Sequence, residues 1–232
     1  MSVWERISQF VSNAAGDVIS GLAEAIRTMF SGDPETRRQV SFSVAIIALS
    51  AKMAKADGIV TEDEVDAFRE LFDIPQSEIG NVSRLYNLAR QDVAGFDQYA
   101  HQVKNLFPDD PDILQDVLDG LFYIAKADGV LHELELEFIR HVAGIFEVEG
   151  RAFQRLKLRH VHGSHGSAWE ELGADPDWDN DTLKRHFRKL AAENHPDRMM
   201  ARGVPPEFLK IANDRLAEIN RAWDEIRAER GI

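Results

Sequence analysis

The segment Ala54-Lys55-Ala56-Asp57-Gly58-Ile59-Val60 recurs as Ala125-Lys126-Ala127-Asp128-Gly129-Val130-Leu131. Each copy follows an apolar stretch with helical spacing and precedes an acidic amphipathic stretch. An Asp-Gly pair is typical of a helix end, because glycine adopts the positive φ that is common just after a helix. Thr61 and Glu64 have the spacing of a capping box, which would begin the next helix. The repeat therefore predicts two related helix–turn–helix units and an all-α fold over residues 34–157.

The helices of these two units can be placed from the spacing of their apolar residues. The apolar helices are predicted over Val44–Met53 and Ile113–Ile124, and the acidic helices over Thr61–Phe72 and His132–Phe146. A Pro- and Asp-rich segment, Phe107–Pro111, joins the two units. These Lys-Ala-Asp-Gly turns and the acidic helices after them are similar to TerB-like domains, which are named for tellurite-resistance proteins. The resemblance covers about half of the chain.

An amphipathic helix is predicted in the N-terminal segment, residues 1–33. Between residues 3 and 30, apolar residues recur on one stripe, which includes Val3, Ile7 and Leu22. This stripe could pack on its own domain or on a copy of itself, giving a homodimer, and peripheral contact with a membrane is the remaining alternative. Ser31-Gly32-Asp33-Pro34 then ends the helix and begins the repeat domain.

Residues 158–167 are predicted to form a linker, and residues 168–232 a second helical domain. The linker is rich in Gly, Ser and His. The second domain begins with a short helix over Ala168–Leu172, and two longer helices follow over about Asp181–Asn194 and Pro206–Glu229. The stripes on the two longer helices predict an antiparallel hairpin. One stripe consists of Leu183, Phe187, Leu190 and Asn194, and the other of Leu209, Ala212, Leu216, Ile219, Trp223 and Ile226.

The first of the two longer helices has a basic face opposite its apolar stripe. Arg185, Arg188 and Lys189 centre on that face, with Lys184 at its flank. His195-Pro196-Asp197-Arg198 follows directly, and Pro196 disfavours helical geometry at His195. The tripeptide is therefore expected at the exposed tip of the hairpin.

This arrangement resembles a J-domain, and the following residues carry the resemblance. Leu183 to Ala191, followed by Asn194-His195-Pro196-Asp197-Arg198, looks like the second helix and signature loop of that family. Ala168 to Gly173 resembles its first helix, and Leu216 to Trp223 the core of its third. The lengthened loop Arg198 to Gly203, together with a TerB-like domain before the hairpin, is closest to the DjlA branch of the family.

The resemblance implies a co-chaperone that binds a DnaK-class chaperone and stimulates its ATPase. The implied contacts are His195, Pro196, Asp197, Arg198 and the basic residues Lys184, Arg185, Arg188 and Lys189. Asp197 would pair with an arginine of the chaperone, while His195 and Pro196 hold the loop geometry. The TerB-like domain would select clients or location. No cofactor and no catalytic residue is implied, so the chain is not expected to be an enzyme.

Composition narrows the partners and the compartment. The net charge of −13 argues against general nucleic-acid binding, and the absence of cysteine suits a reducing cytoplasm. Residues 168–232 carry a net charge of only −3, from 14 acidic and 11 basic residues. The longest charge-free apolar window, Gln39–Ala51, has 13 residues, and about 20 are needed to span a membrane. The expected location is the cytoplasm, with peripheral contact at the inner membrane as an alternative.

Two groups of residues are candidates for metal binding. The acidic turns repeat across the two units, and hard cations prefer such oxygens, but helix capping explains the same residues. Their members are Asp57, Glu62 and Glu64 in the first copy, and Asp128, Glu133 and Glu135 in the second. His160, His162 and His165 are better interpreted as a solvated linker. A stress- or metal-responsive acidic binding module of the tellurite-resistance type is thus the alternative function.

Overall fold

The computed structural model describes residues 3–13, 34–55, 61–91, 95–161 and 167–232. Within these ranges the chain forms twelve α-helices and one 3-10 turn and has no strand, so the all-α prediction is confirmed. The helices are α1 Val3–Asn13, α2 Pro34–Met53, α3 Glu62–Leu71, α4 Ile79–Gln91, α5 Phe96–Leu106, α6 Pro111–Ala125, α7 Glu133–Ile145, α8 Gly150–Val161, α9 Ala168–Leu172, α10 Asn180–Glu193, α11 Pro196–Ala201 and α12 Lys210–Arg230, and the 3-10 turn is Pro206–Phe208.

Helices α2 to α8 form the repeat domain, with α2 and α6 at its centre. Both central helices are largely buried, and each leads into one copy of the repeated turn. The predicted capping box is present at α3, where the Glu64 backbone N–H donates to Thr61 Oγ1 at 3.1 Å. In the second turn Gly129 has a φ of +89°, as the Asp-Gly pattern predicts. The first turn, residues 56–60, lies outside the described residues.

Two further helices, α4 and α5, lie between the repeat units and pack against α2. The repeat pattern does not predict them, because they belong to neither copy. Their own spacing is amphipathic: Val82, Leu85 and Ala89 of α4 are buried on one face. Together, α4 and α5 cover the side of α2 that the repeat units leave open.

The N-terminal helix is described only over its first part, α1, and the rest of the predicted helix lies outside the described residues. Val3, Trp4 and Ile7 are buried, and α1 packs against α2 and α4. In this part the apolar stripe therefore packs on its own chain, as one of the three alternatives anticipates. Over the described part of the chain, no helix combines the length and the apolar character that crossing a membrane needs.

Helix α8 continues to Val161 and so extends into the predicted linker. The interpretation of His160 as a solvated linker residue is wrong: its side chain is only 10 % exposed. The ring stacks on Phe122 with centroids 5.2 Å apart, and its Nε2 lies 2.9 Å from Asp119 Oδ1. His162 and His165 lie outside the described residues.

The C-terminal hairpin, α9 to α12, has its own core at the end where α9 packs on α12; we call this end the base. Its buried residues are Leu172, Leu183, Ile219, Ala222, Trp223 and Ile226. Phe187 stacks on Trp223 at 4.6 Å, and Trp169 Nε1 donates to Glu229 at 3.0 Å. The first part of the predicted α10 stripe and the last part of the predicted α12 stripe meet in this core.

The opposite end of the hairpin, the tip, comprises residues 194–212 and packs on the repeat domain. Met199, Val204, Phe208, Leu209 and Ala212 are buried in the same cluster as the core of that domain. The two parts also approach closely along α6 and α12. A Cβ on Gly120 would lie 2.8 Å from Ile211 Cδ1, so glycine allows the contact. The hairpin is thus fixed to the repeat domain through its tip.

Candidate functional site

His195-Pro196-Asp197 connects α10 to the short helix α11. Helix α10 ends at Glu193, and the buried Asn194 closes it by donating from Nδ2 to Leu190 O at 2.7 Å. His195 has extended backbone geometry, with φ −76° and ψ 132°, as expected for a residue before proline. Pro196 then takes the first position of α11, where its missing N–H costs nothing.

The tripeptide is accessible to a partner. The side chains of His195 and Asp197 are 52 % and 78 % exposed. His195 caps α11, because its Nδ1 accepts from the Asp197 backbone N–H at 3.2 Å. This bond fixes the imidazole on its own backbone, while the Asp197 carboxylate stays open to solvent. The sequence-predicted exposure of the tripeptide agrees with this geometry.

The basic face of α10 has the predicted orientation. Arg185, Arg188 and Lys189 are exposed, and Lys184 is half-buried. Arg185 donates to Thr182 at 3.1 Å, and Lys189 lies 3.8 Å from Glu193. Interactions this exposed hold a side chain weakly. The face can therefore reorganise around an acidic partner.

The loop after the tripeptide is held by contacts that the sequence pattern does not predict. Arg198 to Ala201 belong to α11, and Met199 points its side chain into the repeat-domain core. Phe208 lies within 5.6 Å of Trp4, 5.4 Å of Phe42 and 4.8 Å of Phe72, measured between ring centroids. Aromatic contacts of this kind dominate the energetics of a core.

An ion pair reinforces these apolar anchors. Arg202 Nη1 lies 2.6 Å from Asp110 Oδ1, and the two side chains are 20 % and 18 % exposed. Burial raises the pKa of Asp110, and Arg202 opposes that rise. Gly203 follows with a φ of +90°, and a Cβ there would lie 3.0 Å from Arg38 Cδ. A glycine is therefore needed for the chain to turn against the repeat domain here.

A second ionic cluster lies deeper between α6, α8 and α12. Arg215 Nη1 is 2.5 Å from Asp116 Oδ1, and Arg159 Nη1 is 2.5 Å from Asp119 Oδ2. Burial raises the pKa of Asp116 to about 6, although Arg215 opposes this. Burial also acts to raise the pKa of Asp119, but the His160 hydrogen bond and the two arginines outweigh it and hold that pKa below its ordinary value. These two carboxylates are a detectable sequence signal, because they stand three residues apart in a mostly apolar helix.

Two acidic residues of the repeated turns, Glu64 and Glu135, act as helix caps. Glu64 is buried and accepts from the Thr61 backbone N–H at 2.7 Å. Glu135 likewise accepts from the His132 backbone N–H at 3.0 Å, and Asp128 from that of Val130 at 2.9 Å. Glu62 and Glu133 are exposed, and Asp57 is not among the described residues. Across the described ranges, no group of three or more acidic or histidine side chains could hold a metal ion.

The fold and the site define an all-helical repeat domain that carries a helical hairpin with an exposed His-Pro-Asp tripeptide. The family model of the tellurite resistance protein TerB matches residues 43–158, which is half of the chain. The chain is 28 % identical over 221 residues to the co-chaperone protein DjlA of Photobacterium profundum, which covers 84 % of this chain and 80 % of that protein.

Other relatives have the same name. The co-chaperone protein DjlA of Vibrio parahaemolyticus is 26 % identical, and the match covers 87 % of this chain and 82 % of that protein. The co-chaperone protein DjlA of Salmonella typhimurium is 25 % identical, and the match covers 85 % of this chain and 83 % of that protein. No solved structure matches the chain significantly. The chain belongs to the TerB family and is a DjlA-like protein.

Proposed function

We propose that this protein is a J-domain co-chaperone that binds a DnaK-class chaperone and stimulates its ATP hydrolysis. The observation that carries the proposal is the exposed His195-Pro196-Asp197 tripeptide at the end of the basic helix α10. The relatives' name, co-chaperone protein DjlA, supports the same role. In this role the chain regulates a partner's enzyme and performs no chemistry of its own, while the repeat domain selects clients or location.

The geometry suggests how the two parts of the surface would act. The exposed cations of α10 attract an acidic surface of the chaperone, which speeds encounter and sets orientation. Asp197, with its largely exposed carboxylate, then accepts hydrogen bonds from a cation of the chaperone, since charge-assisted bonds are the strong ones. His195 contributes by fixing the start of α11 through its Nδ1.

Steady-state ATPase assays with a purified DnaK-class chaperone test this function. The full chain is expected to stimulate hydrolysis, and His195→Gln is expected to abolish the stimulation. His141→Gln is the matched control, because His141 is 53 % exposed on the repeat domain. Absence of stimulation by the intact chain, or equal activity of the two variants, would contradict the proposal.

Charge reversal tests the basic face separately. Arg185→Glu with Arg188→Glu should raise the concentration needed for half-maximal stimulation, and the effect should shrink as salt screens the charges. The control pair is Arg151→Glu with Arg155→Glu, which reverses two exposed arginines of α8. Equal effects of the two pairs would indicate non-specific attraction and remove the role given to α10.

A further inference from the structure

The tip of the hairpin depends on the repeat domain for its buried contacts. Met199, Val204 and Phe208 are 4 %, 1 % and 2 % exposed, and they belong to the repeat-domain core. The core of the base is separate. A loop as long as the one between α10 and α12 loses much conformational entropy when it is ordered. The repeat domain supplies the contacts that offset this loss.

The ion pair between Arg202 and Asp110 joins two helix ends. Asp110 precedes α6 as its N-cap residue, where the helix dipole favours a carboxylate. Arg202 follows α11 as its C-cap residue, where the dipole favours a cation. Helix α11 has only six residues, about 9 Å, and Pro196 and Asp197 form its opposite end. Fixing Arg202 therefore fixes the position of the tripeptide.

Anchoring leaves the proposed binding surface open. His195 and Asp197 keep at least half of their side chains exposed, and Arg185, Arg188 and Lys189 are exposed as well. Since these five side chains stay exposed while the tip packs on the repeat domain, the docked arrangement is compatible with binding. The contact orients the tripeptide and does not block it.

We propose that Arg202 and Asp110 are positioning residues, through which the repeat domain holds His195-Pro196-Asp197 in its chaperone-binding orientation. This inference rests on the function proposed above. Without the ion pair, α11 samples other positions, and only the fraction of molecules in the correct one can bind. The apparent affinity is the intrinsic affinity multiplied by that fraction, while the activity of the bound complex is unchanged.

The test compares full-chain Arg202→Ala, Asp110→Asn and the double variant in the ATPase assay. Each should raise the half-maximal concentration about three- to tenfold, as expected for a partly buried pair, with unchanged maximal stimulation. The double variant should equal the single ones, because both changes remove the same interaction. Arg202→Lys should recover much of the loss. Arg227→Ala is the control, since it breaks the exposed pair with Asp224 on α12.

Hydrogen exchange of the free chain supplies a second measurement that needs no chaperone. Arg202→Ala should speed amide exchange over 196–204 and leave 219–226 unchanged. If Arg202→Ala exchanges over 196–204 as the wild type does, or has the wild-type half-maximal concentration, the positioning role is overturned. The proposed function would still stand in that case, provided that His195→Gln abolishes stimulation. A fall in maximal stimulation that tracks a lower melting temperature would also overturn the positioning role, because that pattern means general destabilisation.

Discussion

The two ends of the C-terminal hairpin are stabilised in different ways. At the base, α9, α10 and α12 bury their own apolar stripes against one another. At the tip, the buried side chains enter the repeat-domain core, and Arg202 pairs with Asp110 of that domain. The His195-Pro196-Asp197 tripeptide thus belongs to the end that packs on another domain, whereas the cations of α10 lie outside that end. We therefore expect the presentation of the tripeptide to depend on the repeat domain.

The largest expected effect is at Phe208, which contacts three aromatic rings of the core. Phe208→Ala should lower the free energy of unfolding by about 3–5 kcal/mol, measured by denaturant titration. Amide exchange should rise over 195–204 more than over 219–226. Met200→Ala is the control in the same loop, because Met200 is 42 % exposed, and it should cost less than about 0.5 kcal/mol. Equal costs would mean that the tip is not anchored.

The converse change is Ile226→Ala at the base, where Ile226 is fully buried. The expected loss is about 2–5 kcal/mol, with exchange rising over 168–190 and 219–230. Protection of α2 and α6 should stay at the wild-type level, because the cores of base and repeat domain are separate. Glu225→Ala, which changes the exposed neighbour of Ile226, is the control. Loss of protection throughout the chain would show that the two ends form one cooperative unit.

A smaller effect is expected in the pH dependence of stability, through the buried carboxyl of Asp116. The folded-state pKa of Asp116, about 6, lies above the ordinary 3.8, so the folded chain holds this proton more tightly. The contribution of Asp116 to stability is therefore greatest below about pH 4 and is lost as the pH rises through about 6. The opposite contribution of Asp119, whose pKa is lowered, is lost only at lower pH.

Denaturant titrations between pH 4 and 7 measure this difference. Between pH 4 and 7, the free energy of unfolding of the wild type should fall by about 1–3 kcal/mol relative to that of Asp116→Asn. Asp109 is an exposed residue just before α6. The free energy of unfolding of Asp109→Asn should therefore change with pH as that of the wild type does. A constant difference between wild type and Asp116→Asn would show that Asp116 titrates normally.

The base and the tip also differ in how far the sequence predicts them. The bounds of α9 agree with the sequence prediction, and α10 begins within one residue of it, because period and capping are local properties. Most residues of the stripe predicted for α12 are buried, but Leu209 precedes the helix, Leu216 is only half-buried, and the others have two different partners. Leu209 and Ala212 join the repeat-domain core, while Ile219, Trp223 and Ile226 join the base. Local spacing cannot distinguish these two partners.

The candidate site divides in the same way. Exposure of His195, Asp197 and the α10 cations follows from a helix period and one proline. The roles of Arg202 and Asp110 depend on packing between residues 92 positions apart, which no local pattern encodes. Asp116 and Asp119 are the available clue in the sequence, since carboxylates within the apolar part of a helix require partners when they are buried.

Hydrogen exchange of the full chain with a DnaK-class chaperone and ATP tests the central claim most directly. Binding should slow exchange along α10 and over 195–198, and His195→Gln should abolish that protection. Helix α8, which also exposes arginines, should exchange at the same rate with and without the chaperone. Protection on α8 with none over α10 and 195–198 would contradict the account, because the chaperone would then bind elsewhere.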